Sequence, residues 1–309
     1  MSDALGLGKV TKEIFNRSVL PYLPVEKSLE LDGATTELKG NTVIAHSPSI
    51  GVPNDALGFF SFHYAASNVA SRFGKPTHMI SGIYLPLKTS ESDLKVIAKN
   101  LGDEARKYGV IVTAGQTATY YGLEIPLLTS TCIGEEIRAP SKPRNGDRVV
   151  LIGEVGGEAV WLNKLSKGEG SEEWRKFTPL PIILSIQGIG GIRVMHDVSE
   201  GGVTGALYEV AEGHEIGLDV SSEDIVYASG VEALDGEALR APTYGTLITI
   251  VDPEGVMEVK QKCQEIGVPC SVIGTVTEAA GLMLDGVKVL EQKRTGIDEI
   301  YGSFEERKG

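Results

Sequence analysis

The stretch from Ile192 to Ala211 constrains the fold of this chain more than any other. A short apolar run leads into His-Asp-Val-Ser-Glu at residues 196–200, two glycines follow, and an amphipathic helix pattern begins. This order predicts a strand, a tight turn and a helix whose N-terminal N–H groups and partial positive charge suit a phosphate. The alternative interpretation is a helix cap, in which Asp197 or Ser199 satisfies the helix start and the glycines only form the turn.

Composition limits the class of protein. The 309 residues are enough for two domains, each with its own core. A net charge of −13 argues against a general nucleic-acid surface or an anionic-membrane surface. The sequence contains no apolar run of about 18 residues and no charged-then-apolar leader, so we expect a cytoplasmic protein that does not enter a membrane. Its cysteines, Cys132, Cys263 and Cys270, are sparse and odd in number, which favours a reducing compartment, and none has zinc-ligand spacing.

Strand and helix patterns alternate in both halves of the chain. In the first half, the spacing of apolar residues predicts helices over 11–19, 56–73 and 90–109, and strands over 41–47, 78–87, 110–114 and 123–134. In the second half, it predicts strands over 148–153, 216–220, 246–251 and 270–277, helices over 156–165, 179–187 and 253–267, and a hairpin around Asp285-Gly286. A polar, proline-containing bridge over 138–146 predicts the boundary between domains 1–140 and 147–309.

The sequences VMHDVSEGGV, APTYGTLITIVDPEGV and CSVIGTVTE, in this order of elements, resemble the AIR synthase-related (PurM-like) superfamily, and among its branches the hydrogenase maturation factors of the HypE type. The resemblance spans about Val10 to Leu290. It implies an α+β fold of two domains: an N-terminal domain whose sheet pairs with that of a second subunit into a dimeric β-barrel, and a C-terminal α/β sandwich domain. It also implies a homodimer that binds ATP with Mg²⁺, or another phosphorylated ligand, in the cleft between the domains.

The resemblance also implies roles for individual residues. In the second half, the residues that would contact a reacting substrate are His196, Asp197 and Glu200, and those that would bind the cofactor are Ser199, Gly201 and Gly202. In the first half, the places that match the family's cofactor positions are Asp32, which would also bind the metal, His46, Ser47, Asn68, Gln116 and Thr117. Three structural alternatives stay open. His196 would be a partly buried histidine with its hydrogen bonds made within the protein, His46 an exposed side chain at a strand end, and residues 115–117 a plain turn.

The chain departs from the family pattern where a metal ion would be held. Among the matching places only Asp32 keeps a carboxylate, because His46, Asn68 and Gln116 stand where the family has aspartates. Imidazole and amide groups neutralise none of the charge of Mg²⁺, so we expect metal-assisted ATP binding to be severely weakened.

The end of the chain also departs from the family pattern. The sequence closes with Phe-Glu-Glu-Arg-Lys-Gly over residues 304–309, without the terminal cysteine of the HypE branch, and we expect the self-modification of that branch to be absent. Two functions remain open: an enzyme that transfers a phosphoryl group from ATP, and a non-catalytic dimer that binds a metabolite or a partner protein.

Overall fold

The computed structural model describes residues 8–9, 11–24, 38, 40–169, 172–234 and 237–290. The chain divides into two compact units, Met1–Arg138 and Ala139–Gly309. The division falls at the start of the polar bridge, and each unit has its own sheet and helices.

The N-terminal unit is a five-stranded sheet with order β1-β4-β3-β5-β2. Strands β3 and β4 are parallel, and the other neighbours are antiparallel. Its elements are β1 (Gly8–Lys9), α1 (Lys12–Ser18), β2 (Thr42–Ile50), α2 (Asn54–Ser71), β3 (Gly74–Pro86), α3 (Glu91–Lys107), β4 (Ile111–Tyr120) and β5 (Leu127–Glu136).

Local sequence signals explain the helices of this unit. Helix α3 begins at a capping box in which Ser90 and Asp93 satisfy each other's backbone N–H groups. Its apolar stripe is fully buried and consists of Leu94, Ile97, Ala98, Leu101 and Ala105. Helix α2 is buried on nearly all sides because it packs between the sheet and α3.

Several predicted strand limits are wrong, and two of them concern candidate site residues. Strand β2 continues past Ser47 through Pro48 to Ile50, which is possible because β2 is an edge strand, where a missing N–H need not interrupt the ladder. Strand β4 continues to Tyr120, so the plain turn considered for residues 115–117 is wrong. A Cβ on Gly115 would lie 2.3 Å from the Ser81 carbonyl oxygen, and this glycine therefore permits close strand pairing.

The C-terminal unit is a seven-stranded sheet with order β12-β11-β8-β10-β6-β9-β7. Its elements are β6 (Arg148–Ile152), α4 (Gly157–Ser166), α5 (Leu180–Ile186), β7 (Ile192–Asp197), α6 (Gly202–His214), β8 (Gly217–Val220), β9 (Leu247–Val251), α7 (Val256–Glu265), β10 (Cys270–Thr277), β11 (Gly281–Leu284) and β12 (Val287–Val289).

The core of this unit lies on both faces of the sheet. Every residue of β9 is buried, and α6 packs over one face through Leu207 and Val210. The predicted hairpin is confirmed: Asp285 and Gly286 have φ values of 51° and 77°, as a two-residue turn of type I′ requires. Within the described ranges, no helix has the length and apolarity that crossing a membrane would require.

Candidate functional site

Hydrogen bonds join three turns of the C-terminal unit, which are residues 153–157, 198–202 and 241–246. We call these three turns together the glycine-turn cluster. The Gly156 N–H donates to Thr243 Oγ1 at 3.0 Å. The Thr243 N–H donates in turn to the Ser199 carbonyl at 3.4 Å, and the Ala159 N–H donates to the Pro242 carbonyl at 3.1 Å. The third turn therefore connects the first two.

Two helices begin in this cluster. Helix α4 follows Gly156 and helix α6 follows Gly201, and because both N-cap residues are glycines, no N-cap side chain accepts an N–H of the first turn. The side-chain cap considered for Asp197 or Ser199 is therefore wrong; Ser199 instead accepts the Gly202 N–H through its carbonyl, at 3.0 Å.

Gly202 shows why this sequence folds so tightly. It has a φ of 63°, a region that favours glycine, and a Cβ there would lie 2.5 Å from the Leu239 carbonyl oxygen. The glycine is therefore required both by its backbone conformation and by the chain packed against it.

Glu158, on the first turn of α4 and directly after the cluster, is a titratable residue that sequence reasoning missed. Glu158 is only 7% exposed, and its Oε2 accepts a hydrogen bond from the Tyr244 N–H at 2.7 Å. Burial raises the pKa of Glu158 to about 7, although the hydrogen bond from Tyr244 opposes this shift, and the negative charge of Glu200 adds to it. A glutamate directly after two glycines at a strand–helix junction was the available signal.

The sequence-predicted residues of the second half separate into two groups, one in the glycine-turn cluster and one at the end of strand β7. Ser199, Glu200, Gly201 and Gly202 lie in the cluster, and Glu200 is exposed there and acts electrostatically on Glu158.

His196 and Asp197 end strand β7, and because strand residues alternate they project to opposite faces. His196 Nε2 lies 2.8 Å from Glu209 Oε2 on α6. Burial alone would lower the pKa of His196, but the hydrogen bond to Glu209 and the nearby charge of Asp197 outweigh it, so that pKa is raised. For the neighbouring Asp197 carboxyl, burial acts in the opposite direction and raises the pKa. His196 thus has a carboxylate partner within its own unit.

The sequence-predicted residues of the first half lie on two faces of the N-terminal sheet. Asn68 Nδ2, on α2, donates to Ser47 Oγ at 3.1 Å on the helix-covered face. The neighbouring His46 is exposed on the other face, in the middle of β2 rather than at its end, and hydrogen-bonds the Thr131 hydroxyl at 2.8 Å.

On β4, Gln116 donates to the Tyr120 hydroxyl at 2.6 Å, whereas Thr117 is buried. Alternation places Gln116 and Thr117 on opposite faces. The structure thus joins Ser47 with Asn68 but does not gather these five residues into one cluster. Asp32, the predicted metal ligand, lies outside the described residues, as does the chain terminus.

The described residues do not bring the sequence-predicted magnesium positions together. In the part of the chain that the structure describes, no group of three or more histidine, cysteine, aspartate or glutamate side chains is placed to hold a metal. The matching positions carry an imidazole and two amides, and His46 is separated from Asn68 by the sheet. Mg²⁺ prefers an octahedral set of oxygens that includes carboxylates.

The fold defines a PurM-like protein of the α+β class. Escherichia coli HypE, a hydrogenase maturation protein, has a TM-score of 0.79 to this chain at 19% identity and covers 93% of this chain and 98% of its own. A structure of hydrogenase maturation protein HypE in complex with ATP has a TM-score of 0.78 to this chain at 20% identity. The match covers 93% of this chain and 96% of that one. The predicted α+β architecture is confirmed.

The chain belongs to the AIR synthase related protein family. Residues 32–135 match its N-terminal domain, and residues 144–285 match its C-terminal domain. Among similar sequences, the carbamoyl dehydratase HypE of Bradyrhizobium diazoefficiens is 27% identical over an alignment of 240 positions that covers 72% of this chain and 69% of that protein. The hydrogenase expression/formation protein HupE of Azotobacter chroococcum is 24% identical over an alignment of 302 positions that covers 90% of this chain and 87% of that protein.

Proposed function

We propose that this chain binds a nucleotide or another phosphorylated ligand at the glycine-turn cluster. The observation that carries the proposal is that α4 and α6 both begin there without a side-chain cap, in turns tied together by Thr243. Helix N-termini of this kind present N–H groups and partial positive charge to an anion. The ATP complex of HypE, a protein of the same fold, supports the nucleotide as the ligand class.

In this proposal, Ser199, Glu200, Gly201 and Gly202 contact the ligand, and His196 and Asp197 precede them on β7. The carboxyl groups of Glu158 and Glu200 oppose an anion when both are ionised. Because the pKa of Glu158 is about 7, this group is largely protonated at pH 6. We therefore expect Glu158→Gln to bind a phosphorylated ligand more tightly than the unmodified chain at pH 8, and the two to differ little at pH 6.

We also propose that ligand binding depends little on Mg²⁺, because His46, Asn68 and Gln116 carry an imidazole and two amides where the family pattern has carboxylates. Transfer of a phosphoryl group from ATP relies on metal ions to neutralise the developing charge. We therefore propose ligand binding, and we assign no phosphoryl-transfer step to the described residues.

Isothermal titration calorimetry with ATP, ADP and inorganic phosphate tests this function, in magnesium and in EDTA. The Glu200→Gln variant should bind the phosphorylated ligand about two- to fivefold more tightly, as removal of one charge near a helix start is worth about 0.5–1 kcal/mol. Glu212→Gln, an exposed change farther along α6, is the matched control and should leave affinity unchanged. Absence of binding at millimolar concentrations of all three compounds refutes the proposal, and binding abolished by EDTA refutes its metal-independence.

A second proposal concerns the N-terminal sheet and favours a homodimer. The face of this sheet opposite α2 carries Ile44, Ile50 and Ile80, which are 63%, 51% and 41% exposed. The free face of an antiparallel sheet is normally polar when it meets water. We therefore propose that a second copy of the chain covers this face, and sedimentation velocity on the full chain tests it.

A further inference from the structure

Cys263 and Cys270, which show no paired motif in the sequence, meet in the C-terminal unit. Cys263 lies in the last turns of α7, and Cys270 is the first residue of β10. The turn between them is closed by a hydrogen bond of 2.9 Å from the Val268 N–H to the Cys263 carbonyl. A side-chain hydrogen bond joins the two thiols, and helix α7 packs against β10.

The two thiols differ in access and in acidity. Cys263 is fully buried, whereas Cys270 is partly exposed. The hydrogen bond from Cys263 lowers the pKa of Cys270 despite burial, and nearby Lys260 lowers it further. The same hydrogen bond, together with burial, raises the pKa of Cys263. Cys270 is therefore the thiol that ionises first and that a solute reaches, and thiolate character with exposure determines susceptibility to oxidation.

We propose that Cys263 and Cys270 are a redox-modification site that forms a reversible intramolecular disulfide in the presence of a peroxide. In the first step, the Cys270 thiolate attacks one oxygen of the peroxide, the O–O bond breaks, and Cys270 becomes a sulfenic acid while hydroxide leaves. In the second step, the Cys263 sulfur attacks the Cys270 sulfur, the S–O bond breaks, and water leaves with the Cys263 proton. The peroxide is reduced by two electrons and the two thiols are oxidised by two.

The proposed Cys263–Cys270 disulfide would lie next to the glycine-turn cluster. Cys270 pairs with Ile152, the last residue of β6, and the preceding Pro269 carbonyl accepts the Gly153 N–H at 2.9 Å. Gly153 is the first residue of the cluster. A disulfide would therefore tie α7 to the strand ends that hold the first turn.

The experiment uses the full chain and hydrogen peroxide as the oxidant. The protein is treated under native conditions, its remaining thiols are alkylated, and tryptic peptides are analysed by mass spectrometry. Because no lysine or arginine lies between Cys263 and Lys288, one peptide carries both cysteines. We expect this peptide to lose both alkylation sites and two hydrogen atoms, and to recover both sites after treatment with dithiothreitol.

Cys132 provides the internal control. It is fully buried, and burial raises the pKa of its thiol to about 12, so it should remain reduced at the same dose. Cys132→Ser should form the disulfide as the unmodified chain does. Cys263→Ser should instead accumulate a sulfenic acid at Cys270 that dimedone traps. Full alkylation of both cysteines after peroxide, dimedone labelling of Cys270 in the unmodified chain without a cross-link, or a cross-link between two chains would each overturn the proposal.

Discussion

Replacing Glu158 by glutamine should stabilise the protein at alkaline pH. The folded-state pKa of Glu158 is about 7, against 4.5 for the unperturbed group. The folded state therefore binds this proton more tightly than the unfolded state. The stabilisation that protonated Glu158 contributes is present in full below about pH 4.5, decreases as the pH rises toward 7, and is lost above pH 7.

The size of the effect follows from the difference in pKa. A difference of about 2.5 in pKa, at about 1.4 kcal/mol per pKa unit, amounts to a cost of about 3.5 kcal/mol well above pH 7. Glutamine removes the charge but keeps an oxygen that can accept the Tyr244 N–H. Glu158→Gln should therefore raise the free energy of unfolding by up to about 3.5 kcal/mol at pH 8 and by less than about 1 kcal/mol at pH 5.

Urea unfolding at pH 5, 6, 7 and 8 measures this difference, with the fluorescence of the buried Trp161 and Trp174 as the signal. Glu212→Gln, on the exposed side of α6, is the control and should give a small difference that does not vary with pH. Other titrating groups cancel when each variant is compared with the unmodified chain at the same pH. A stability difference for Glu158→Gln that is constant from pH 5 to pH 8 refutes the burial argument.

Three further predictions concern other parts of the molecule. Glu209→Gln removes the carboxylate that raises the pKa of His196, so this histidine should titrate at lower pH in ring-resonance NMR, and an unchanged midpoint would contradict the pairing. Gly202→Ala should destabilise by at least about 2 kcal/mol in urea, because of its positive φ and the contact with backbone, whereas Gly213→Ala on the same helix meets open space and should be neutral or stabilising by up to about 1 kcal/mol. Ile44→Lys on the open sheet face should yield a folded monomer in sedimentation velocity, and an unaltered sedimentation coefficient alongside a dimeric parent would exclude this face as the dimer interface.

Several local structures could be predicted from the sequence because short-range interactions decide them. The capping box at Ser90 and Asp93 joins residues three apart, and the stripe of α3 follows helical spacing. The Asp285-Gly286 hairpin follows from two adjacent residues that tolerate a positive φ. The strand, turn and helix over 192–211 were predicted for the same reason.

Strand limits depended on distant partners. Nothing local shows that β2 lies at a sheet edge, where Pro48 is tolerated, or that β4 continues beside β3 to Tyr120. The face of each side chain then follows from alternation, and this separates His46 from Ser47 and Gln116 from Thr117.

The amino-acid order alone indicated the alternation of strands and helices, the helix starts and the glycine turn at residues 201–202, since these depend on hydrophobic period and on backbone freedom over a few residues. The α+β class of the fold came from the resemblance to a family. Only the tertiary structure decided which charged groups face one another. Glu158 acquires its raised pKa from burial beneath Tyr244, which is 86 residues away along the chain. Cys263 and Cys270 likewise meet because a turn closes between a helix and a strand. Proton affinity and thiol chemistry depend on distance and solvent access, and folding brings these groups together.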